Sequence, residues 1–370
     1  MFELSSSFSL DLPNLIDGGS GVVRKSQWLA YAGHLSEPVA LSRPDLQIIE
    51  EISEIDYIDS TELYRVYNKE AIDGLIMSGL LVTEDSKSDA MSRLIPWYPL
   101  AEIYYVYGRW DNVSLNSSMD ESNKSELEFI SPSNTTPPAY LYEHNRSQTR
   151  IALDTPKPVE LDEVLDNRNT CRSFDKEKAI SIHALSKIFH RVFRARKKYT
   201  LESGLDIVHK TSPAGGGIHA TEAYLIIRRV NGINPGVYHY LPTTHTLEML
   251  CEHSLDYIDE CVEKVLAGQS WFEGAAVYIV MTARFERLFW KYRNHSKAYR
   301  VCNLDAGHAS QTLYLSATDM GLGAFVSAAV NDKQTEEILS INPLKEGVLA
   351  VCGFGPKNED SNHESCEANN

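Results

Sequence analysis

No apolar stretch of this sequence approaches the roughly 20 residues needed to cross a bilayer, so no membrane helix is expected. The start, Met1-Phe2-Glu3-Leu4, lacks the basic opening of a secretion signal, which points to the cytoplasm. Cysteine is sparse. The six residues, Cys171, Cys251, Cys261, Cys302, Cys352 and Cys366, form no C-x-x-C pair and sit near no histidine cluster. That pattern argues against a zinc site or a disulfide framework and for reduced, mostly buried thiols. Positive charge is also short, with 35 Lys and Arg against 51 Asp and Glu and a net charge of −16. Such a surface repels phosphate backbones and disfavours general nucleic-acid binding. A few local Arg and Lys residues can still hold one small phosphate, and a neutral or cationic peptide suits the acidic surface. No internal repeat is visible.

What is present is enough chain, at 370 residues and 43% hydrophobic, for two ordinary globular cores. Composition separates four segments. Residues 1–112 hold helical patterns and aromatic strands. Residues 113–158 are rich in Ser, Asn, Asp, Glu and Pro, including Ser131-Pro132-Ser133-Asn134-Thr135-Thr136-Pro137-Pro138, and read as a linker. Residues 159–357 alternate helix and strand patterns. Residues 358–370 form a polar, acidic tail expected to be disordered.

Within the first segment, residues 42–85 look like a winged-helix unit. Ser42 can cap a helix with Pro44 and Asp45 in its first turn. Ser60 opens a second helix, Asn68 caps a third, and Gly79 is a natural stop. Leu80-Leu81-Val82-Thr83 then reads as a first wing strand. Basic residues are few here, Arg65 and Lys69 among them, so a structural or peptide-docking role suits the unit better than DNA binding.

In the third segment a helix is expected around Leu161–Leu165. Ser181 caps a strongly amphipathic one, with Ile182, Leu185, Ile188, Phe189, Val192 and Phe193 at helical spacing. Strands are expected at 223–227, 237–240, 275–283, 322–328 and 348–352. Helices are expected at 255–266 and 305–320. Strands mixed with helices, with hairpins among them, predict an α+β fold rather than a doubly wound sheet.

Six motifs in this segment could carry chemistry. In Arg168-Asn169-Thr170-Cys171-Arg172-Ser173-Phe174, an extended backbone points residues 168, 170 and 172 the same way. Two guanidiniums and a hydroxyl then face one point, which suits a phosphate; the same spacing also suits an exposed polar edge strand. In Ser212-Pro213-Ala214-Gly215-Gly216-Gly217-Ile218-His219, consecutive glycines allow close approach to a flat ligand and leave amides to donate. It is neither a Walker loop nor a dinucleotide fingerprint. Trp290-Lys291-Tyr292, followed by Ala298-Tyr299-Arg300, holds an adjacent Lys and Tyr that could act as an acid–base pair; a Lys beside Arg287 and Arg293 is equally a solvated charge. Asp305-Ala306-Gly307-His308-Ala309-Ser310-Gln311 is expected to open the long helix, its small residues permitting close packing of a helix or subunit. Gly321-Leu322-Gly323 and Gly353-Phe354-Gly355-Pro356-Lys357 are glycine pairs at strand edges, with Lys357 a further positive charge for a phosphate.

Taken in order, these motifs resemble the nitroreductase superfamily, and within it the SagB-type peptide dehydrogenases. The arginine motif is similar to the family's opening R-R-S-x-R-x-F. The glycine stretch leading to His219, Glu222 and Tyr224, then Pro235-Gly236-Val237-Tyr238-His239-Tyr240, is similar to its S-A-G-G-x-H-P-x-E-x-Y and P-G-x-Y-x-Y blocks. The W-K-Y, A-Y-R, D-A-G-H and G-L-G succession is the most family-specific part. The likeness spans about 159–357. Asn169-Thr170 replaces the usual Arg-Ser, and Ala220-Thr221 stands where a Pro is usual. The N-terminal segment resembles, more loosely, the peptide-clasping modules of peptide-modifying enzymes.

The resemblance implies a mainly antiparallel sheet with flanking helices and FMN held in a homodimer. By position, Arg168, Asn169, Thr170 and Arg172, with Lys357, would surround the FMN phosphate. Pro213, Ala214, Gly215 and Gly216 would line the isoalloxazine. Gln311 and the turn Gly321, Leu322, Gly323 would approach the flavin or its ribityl chain. Lys291 and Tyr292 match the catalytic pair of azoline dehydrogenases. The implied substrate is a ribosomally made precursor peptide, with a cyclase or other maturation enzyme as a partner. The expected reaction is oxidation of azolines to azoles. The rivals are reduction of dehydroamino acids, a generic NAD(P)H nitro or quinone reductase, and a non-catalytic peptide scaffold.

Overall fold

The computed structural model describes residues 2–10, 22–52, 56–86, 95–115, 140, 151–293 and 295–358. Most of the expected linker, including its Pro-rich run, and the tail after Asn358 lie outside the described residues. The chain divides into two compact units. Residues 1–109 and 285–299 make the first, and residues 110–284 and 300–370 the second.

The first unit opens with an antiparallel sheet of β1 (Phe2–Leu10), β2 (Val22–Ala30) and β3 (Val39–Leu41). Three helices follow: α1 (Arg43–Glu51), α2 (Ser60–Val66) and α3 (Lys69–Met77). Ser42 caps α1 reciprocally with Asp45, and Asn68 caps α3. Helix α2 starts at Ser60 as expected, with Asp59 as its cap. Ala30, Leu41, Ile48, Ile72 and Leu75 form their shared core.

The expected wing strand is not there. Gly79 adopts φ +77° and reverses the chain. The amides of Leu80 and Leu81 then both bond the Leu75 carbonyl, at 3.0 and 3.1 Å. Their side chains pack on the helical core. The β-favouring run is thus used to close α3, and the described residues of this unit combine strands and helices without a wing at 80–83.

Helix α4 (Pro99–Tyr107) completes the N-terminal stretch. The inserted residues 285–299 contribute a short helix, Phe285–Lys291. An aromatic cluster joins these parts of the unit. The Trp97 ring lies 5.5 Å from Tyr105, 4.4 Å from Phe285 and 4.4 Å from Phe289. Such contacts add specific geometry to large apolar burial.

The second unit runs through α5 (Glu160–Asn167), β4 (Ile180–Ser181) and α6 (Ile182–Val192). The hairpin β5 (Lys197–Thr200) with β6 (Asp206–His209) follows, then β7 (Thr221–Ile227) and β8 (Val230–Asn231). Next come β9 (Gly236–Leu241), β10 (Thr246–Glu252), α7 (Leu255–Val265) and β11 (Val277–Arg284). The last elements are α8 (Ala298–Asp319, its first two residues in the first unit), β12 (Gly323–Ser327), α9 (Asp332–Leu339) and β13 (Glu346–Gly355).

Six strands form one sheet in the order β10-β9-β7-β11-β13-β12, every neighbour antiparallel. Alternate residues face two cores. Leu225, Ile279 and Cys352 pack with α6 and α8 on one side; Ile226, Val280 and Val351 pack with α7 and α9 on the other. Helices on both faces explain why β11 is mostly apolar: each of its residues but the last is buried. Residues 110–115 belong to this unit. Asn331 accepts from the Val113 amide at 2.8 Å and donates to its carbonyl at 2.9 Å.

Helix α8 begins at Ala298, a full two turns before the expected start at Asp305. Ala298 and Cys302 are buried and carry the helical face backwards. Asp305 is therefore an interior helix residue and not a first-turn acid.

Candidate functional site

The arginine segment is held against β12 and β13. The Cys171 amide donates to the Ala324 carbonyl at 2.9 Å, and Phe174 bridges to Lys357. A Cβ placed on Gly323 would lie 2.5 Å from the Cys171 sulfur and 3.2 Å from Lys357 Cγ. Only glycine lets these three pieces of chain meet. Burial pushes the Cys171 thiol up from its ordinary pKa, which makes it an inert packing group.

Tyr314, buried on α8, organises the outer part of this segment. Its hydroxyl accepts from the Val326 amide at 3.1 Å and shares a 3.0 Å hydrogen bond with Thr170 Oγ1. The Arg168 guanidinium sits 5.4 Å from the Tyr314 ring centre. Arg168 and Thr170 thus both lie against Tyr314. Asn169 is exposed, its amide 3.5 Å from the Asn167 carbonyl. Arg172 opens onto a cavity of ≈380 Å³ shared with Ser173, Lys176, Trp271 and Asn358.

The glycine turn rests on an earlier stretch of α8. The Gly215 amide donates to Asp305 Oδ1 at 3.1 Å, and a Cβ there would run into Val301. Gly217 donates to the Ala214 carbonyl at 3.0 Å. The Gly215 and Gly217 amides are therefore committed inside the protein, and the expectation that they stay available to a ligand is corrected. Gly216 and Gly217 take φ values of +58° and +69°, the left-handed region that favours glycine. Ser212 Oγ bonds Thr312 Oγ1 at 2.8 Å and the His308 carbonyl at 3.4 Å. Burial raises the pKa of Asp305. Pro213 and Gly216 are exposed, and Ala214 is half-buried.

Gly321, φ +70°, ends α8. The Leu322 amide returns to the Ala317 carbonyl at 2.9 Å and Gly321 to Thr318 at 3.0 Å, the paired bonds of a Schellman stop. Gly321 and Leu322 thus aim the chain into β12. Gln311 is exposed on α8, beside Thr312. One helix accordingly holds the glycine turn through Asp305, His308 and Thr312, and the arginine segment through Tyr314.

A polar network lies on the neighbouring strands. His239 Nε2 is 3.3 Å from Glu222 Oε2, and its ring stacks on Tyr224 at 4.7 Å. The Glu222 hydrogen bond holds the His239 pKa above its ordinary value. Thr282 donates to Glu346 Oε1 at 2.6 Å, and burial raises the pKa of Glu346.

Lys291 and Tyr292 belong to the first unit, at the end of the helix Phe285–Lys291. The Tyr292 amide caps that helix on the Leu288 carbonyl at 3.1 Å, and Lys291 Nζ lies 5.5 Å from the Tyr292 ring centre. Lys291 is exposed and Tyr292 half-buried. Sequence reasoning passed over Tyr314 and Thr312, which look like ordinary helix residues until the segments they hold are folded onto them.

The Nitroreductase family description matches residues 165–356, more than half of the chain. The protein belongs to the nitroreductase family. The family match contains every site residue named above except Lys357 and Asn358, which follow its end. Among relatives, the putative nitroreductase MJ1384 of Methanocaldococcus jannaschii is 28% identical over 211 residues, covering 56% of this chain and 97% of that one. The trifolitoxin-processing protein TfxB of Rhizobium leguminosarum bv. trifolii is 24% identical over 312 residues, covering 80% of this chain and 82% of its own. Among solved structures, a chain of the E. coli microcin synthetase McbBCD complex with truncated pro-MccB17 bound aligns at a TM-score of 0.44 and 19% identity, covering 83% of this chain and 100% of that one. No helix among the described residues of this nitroreductase-family protein is long and apolar enough to cross a membrane.

Proposed function

We propose that this nitroreductase-family protein is an FMN-dependent oxidoreductase of the SagB-type branch that matures a ribosomally made peptide, oxidising azoline rings to azoles. The observation that carries the reading is the anchoring of the arginine segment: Cys171 and Lys357 close on Gly323, and Tyr314 holds Thr170 with Arg168 over its ring. The cations of Arg168 and Lys357 and the Thr170 hydroxyl match the chemistry of a phosphate monoester. Likeness to a trifolitoxin-processing protein over 80% of the chain supports a peptide substrate.

Bound FMN would supply the two-electron acceptor for the hydride that leaves the ring. Arg168, Thr170, Lys357 and, from its own cavity, Arg172 would hold the phosphate. The exposed Pro213, Gly216 and Gln311 would line the flavin. Gly215, Gly321, Leu322 and Gly323 act by holding the backbone that carries these groups. Lys291 Nζ, with Tyr292 beside it, would take the proton from the azoline carbon. The N-terminal unit would dock the precursor peptide, the active form would be a homodimer, and a cyclase would supply the azoline.

The test is co-expression with a cyclised precursor peptide. The protein is expected to purify yellow, and the peptide to lose about two daltons per ring, as removal of a hydride and a proton requires. A colourless protein that FMN does not reconstitute sinks the reading. A mass gain of the same size would assign the reverse reaction, reduction of dehydroamino acids. A second reading has one observation in its favour: MJ1384 matches only 56% of this chain, so the family core stands without the N-terminal unit. NADPH consumption coupled to a nitro compound or quinone, with no peptide present, would favour that generic reductase.

A further inference from the structure

We propose that the cavity between the end of α6 and the outer face of α8 binds an oxyanion, a phosphate or carboxylate group carried on an apolar body. The cavity has a volume of ≈490 Å³ and takes four basic side chains from one short segment: His190, Arg191, Arg194 and Arg196. Such clustering runs against the chain's net charge of −16. None of these residues belongs to the arginine segment or the glycine turn described above.

One acid faces the four. Asp319 pairs with Arg191 at 2.5 Å and is 3.8 Å from Lys187. Among the described residues, neither Arg194 nor Arg196 has a carboxylate partner. Nε of Arg194 is buried and lacks a hydrogen-bond partner there. A guanidinium keeps its charge at any ordinary pH and is shaped to receive two oxygens at once. An anion entering the cavity meets two guanidiniums that no described carboxylate neutralises.

The segment is also held in place without a ligand. Its successive amides are each bonded: Arg194 to the Phe189 carbonyl at 3.1 Å, Ala195 to Pro242 at 3.0 Å, and Arg196 to His209 at 2.6 Å. A ligand therefore meets a backbone already ordered, which lowers the entropy cost of binding. The opposite wall supplies the Ser316 hydroxyl and the apolar side chains of Leu161, Val164 and Leu315. That wall is why the oxyanion is assigned an apolar body.

The test is calorimetric titration of the full chain as purified, at fixed ionic strength, with inorganic phosphate in one arm and hexanoate in the other. Flavin content is measured by absorbance in every sample. Saturable binding of one anion per chain is expected, weakened about tenfold or more in Arg194→Gln and in Arg196→Gln, as loss of a charge-assisted contact requires. Lys198→Gln, which removes a nearby cation already paired with Asp206 at 2.7 Å, should leave binding unchanged. Tighter binding of hexanoate assigns a carboxylate on an apolar body, and tighter binding of phosphate assigns a phosphate. Arg196 is exposed, so its variant keeps the test alive if Arg194→Gln fails to fold. The proposal is overturned by absence of saturable binding, by equal binding in both arginine variants, or by loss of flavin together with anion binding in those variants.

Discussion

Thr170 Oγ1 and the Tyr314 hydroxyl lie 3.0 Å apart, and the same Tyr314 oxygen accepts the Val326 amide. One buried phenol thus ties the arginine segment to the strand that follows the Gly321 turn. Tyr314→Phe keeps the ring beneath Arg168 but leaves the Val326 amide without its partner. Unpaired polar groups of this kind cost about 1–3 kcal/mol. Denaturant unfolding should show a loss in that range, with weaker FMN retention. An unchanged midpoint would mean that Tyr314 contributes only packing.

Gly323 is the point where no side chain fits, since an added Cβ would sit 2.5 Å from the Cys171 sulfur. Gly323→Ala should unseat residues 170–172, cost about 2 kcal/mol or more by overpacking, and lower FMN content. Gly74, in the interior of α3, meets nothing within 4 Å. Gly74→Ala should instead stabilise by about 0.5–1 kcal/mol. Thermal melts of the two variants side by side check both signs.

Asp305 holds the Gly215 amide while its pKa is raised by burial. A carboxyl with a raised folded-state pKa binds its proton more readily folded than unfolded. The stability linked to it is complete below the unfolded pKa and is lost as pH rises through the folded value. Asp305→Asn keeps an oxygen for Gly215 and removes the buried charge. It should be more stable than the parent at pH 7, with the advantage vanishing in acid. A pH series of unfolding midpoints that runs parallel for the two proteins would contradict this.

His239 titrates in the same direction for a different reason, because its raised pKa comes first from the Glu222 hydrogen bond. Its contribution is full below the ordinary histidine pKa, about 6.5. It is lost as pH climbs through the raised folded-state value. His239→Gln should flatten stability against pH across that window. NMR titration of the His239 ring reads the pKa directly.

Lys291→Ala is expected to keep the flavin and lower turnover on the true peptide substrate by about 10²–10⁴, the usual contribution of a positioned acid–base group. Tyr292→Phe should cost less, since the Lys291 amine remains to take the proton. Variants that retain full turnover would remove this pair from the chemistry.

Much of the second unit was legible in the sequence. The Ser181 cap and the spacing of Leu185, Ile188, Phe189 and Val192 predict α6, because burial of one helical face writes a 3.6-residue period. The apolar run ending at Ala283 announces a strand covered on both faces. Local signals misled where tertiary packing outbid them. Leu80–Thr83 has strand composition, yet its amides close α3 and its leucines fill the helical core. Ala298–Leu304 carries no cap that marks a start, yet buried Ala298 and Cys302 extend α8 through it.

For the site, the sequence alone determined the chemical inventory and its order: paired arginines about a hydroxyl, a glycine turn, a Lys-Tyr pair and closing glycines. Residue types set charge and permitted backbone shapes, and those survive any arrangement of the chain. Only the tertiary structure decided which of them hold a ligand-facing surface and which hold the protein. Gly215 donates its amide to Asp305, ninety positions away in the chain, and Thr170 meets Tyr314 across a separation of 144 residues. Contacts between groups so distant depend on the packing of α8 against a sheet, and no local pattern of residues encodes that.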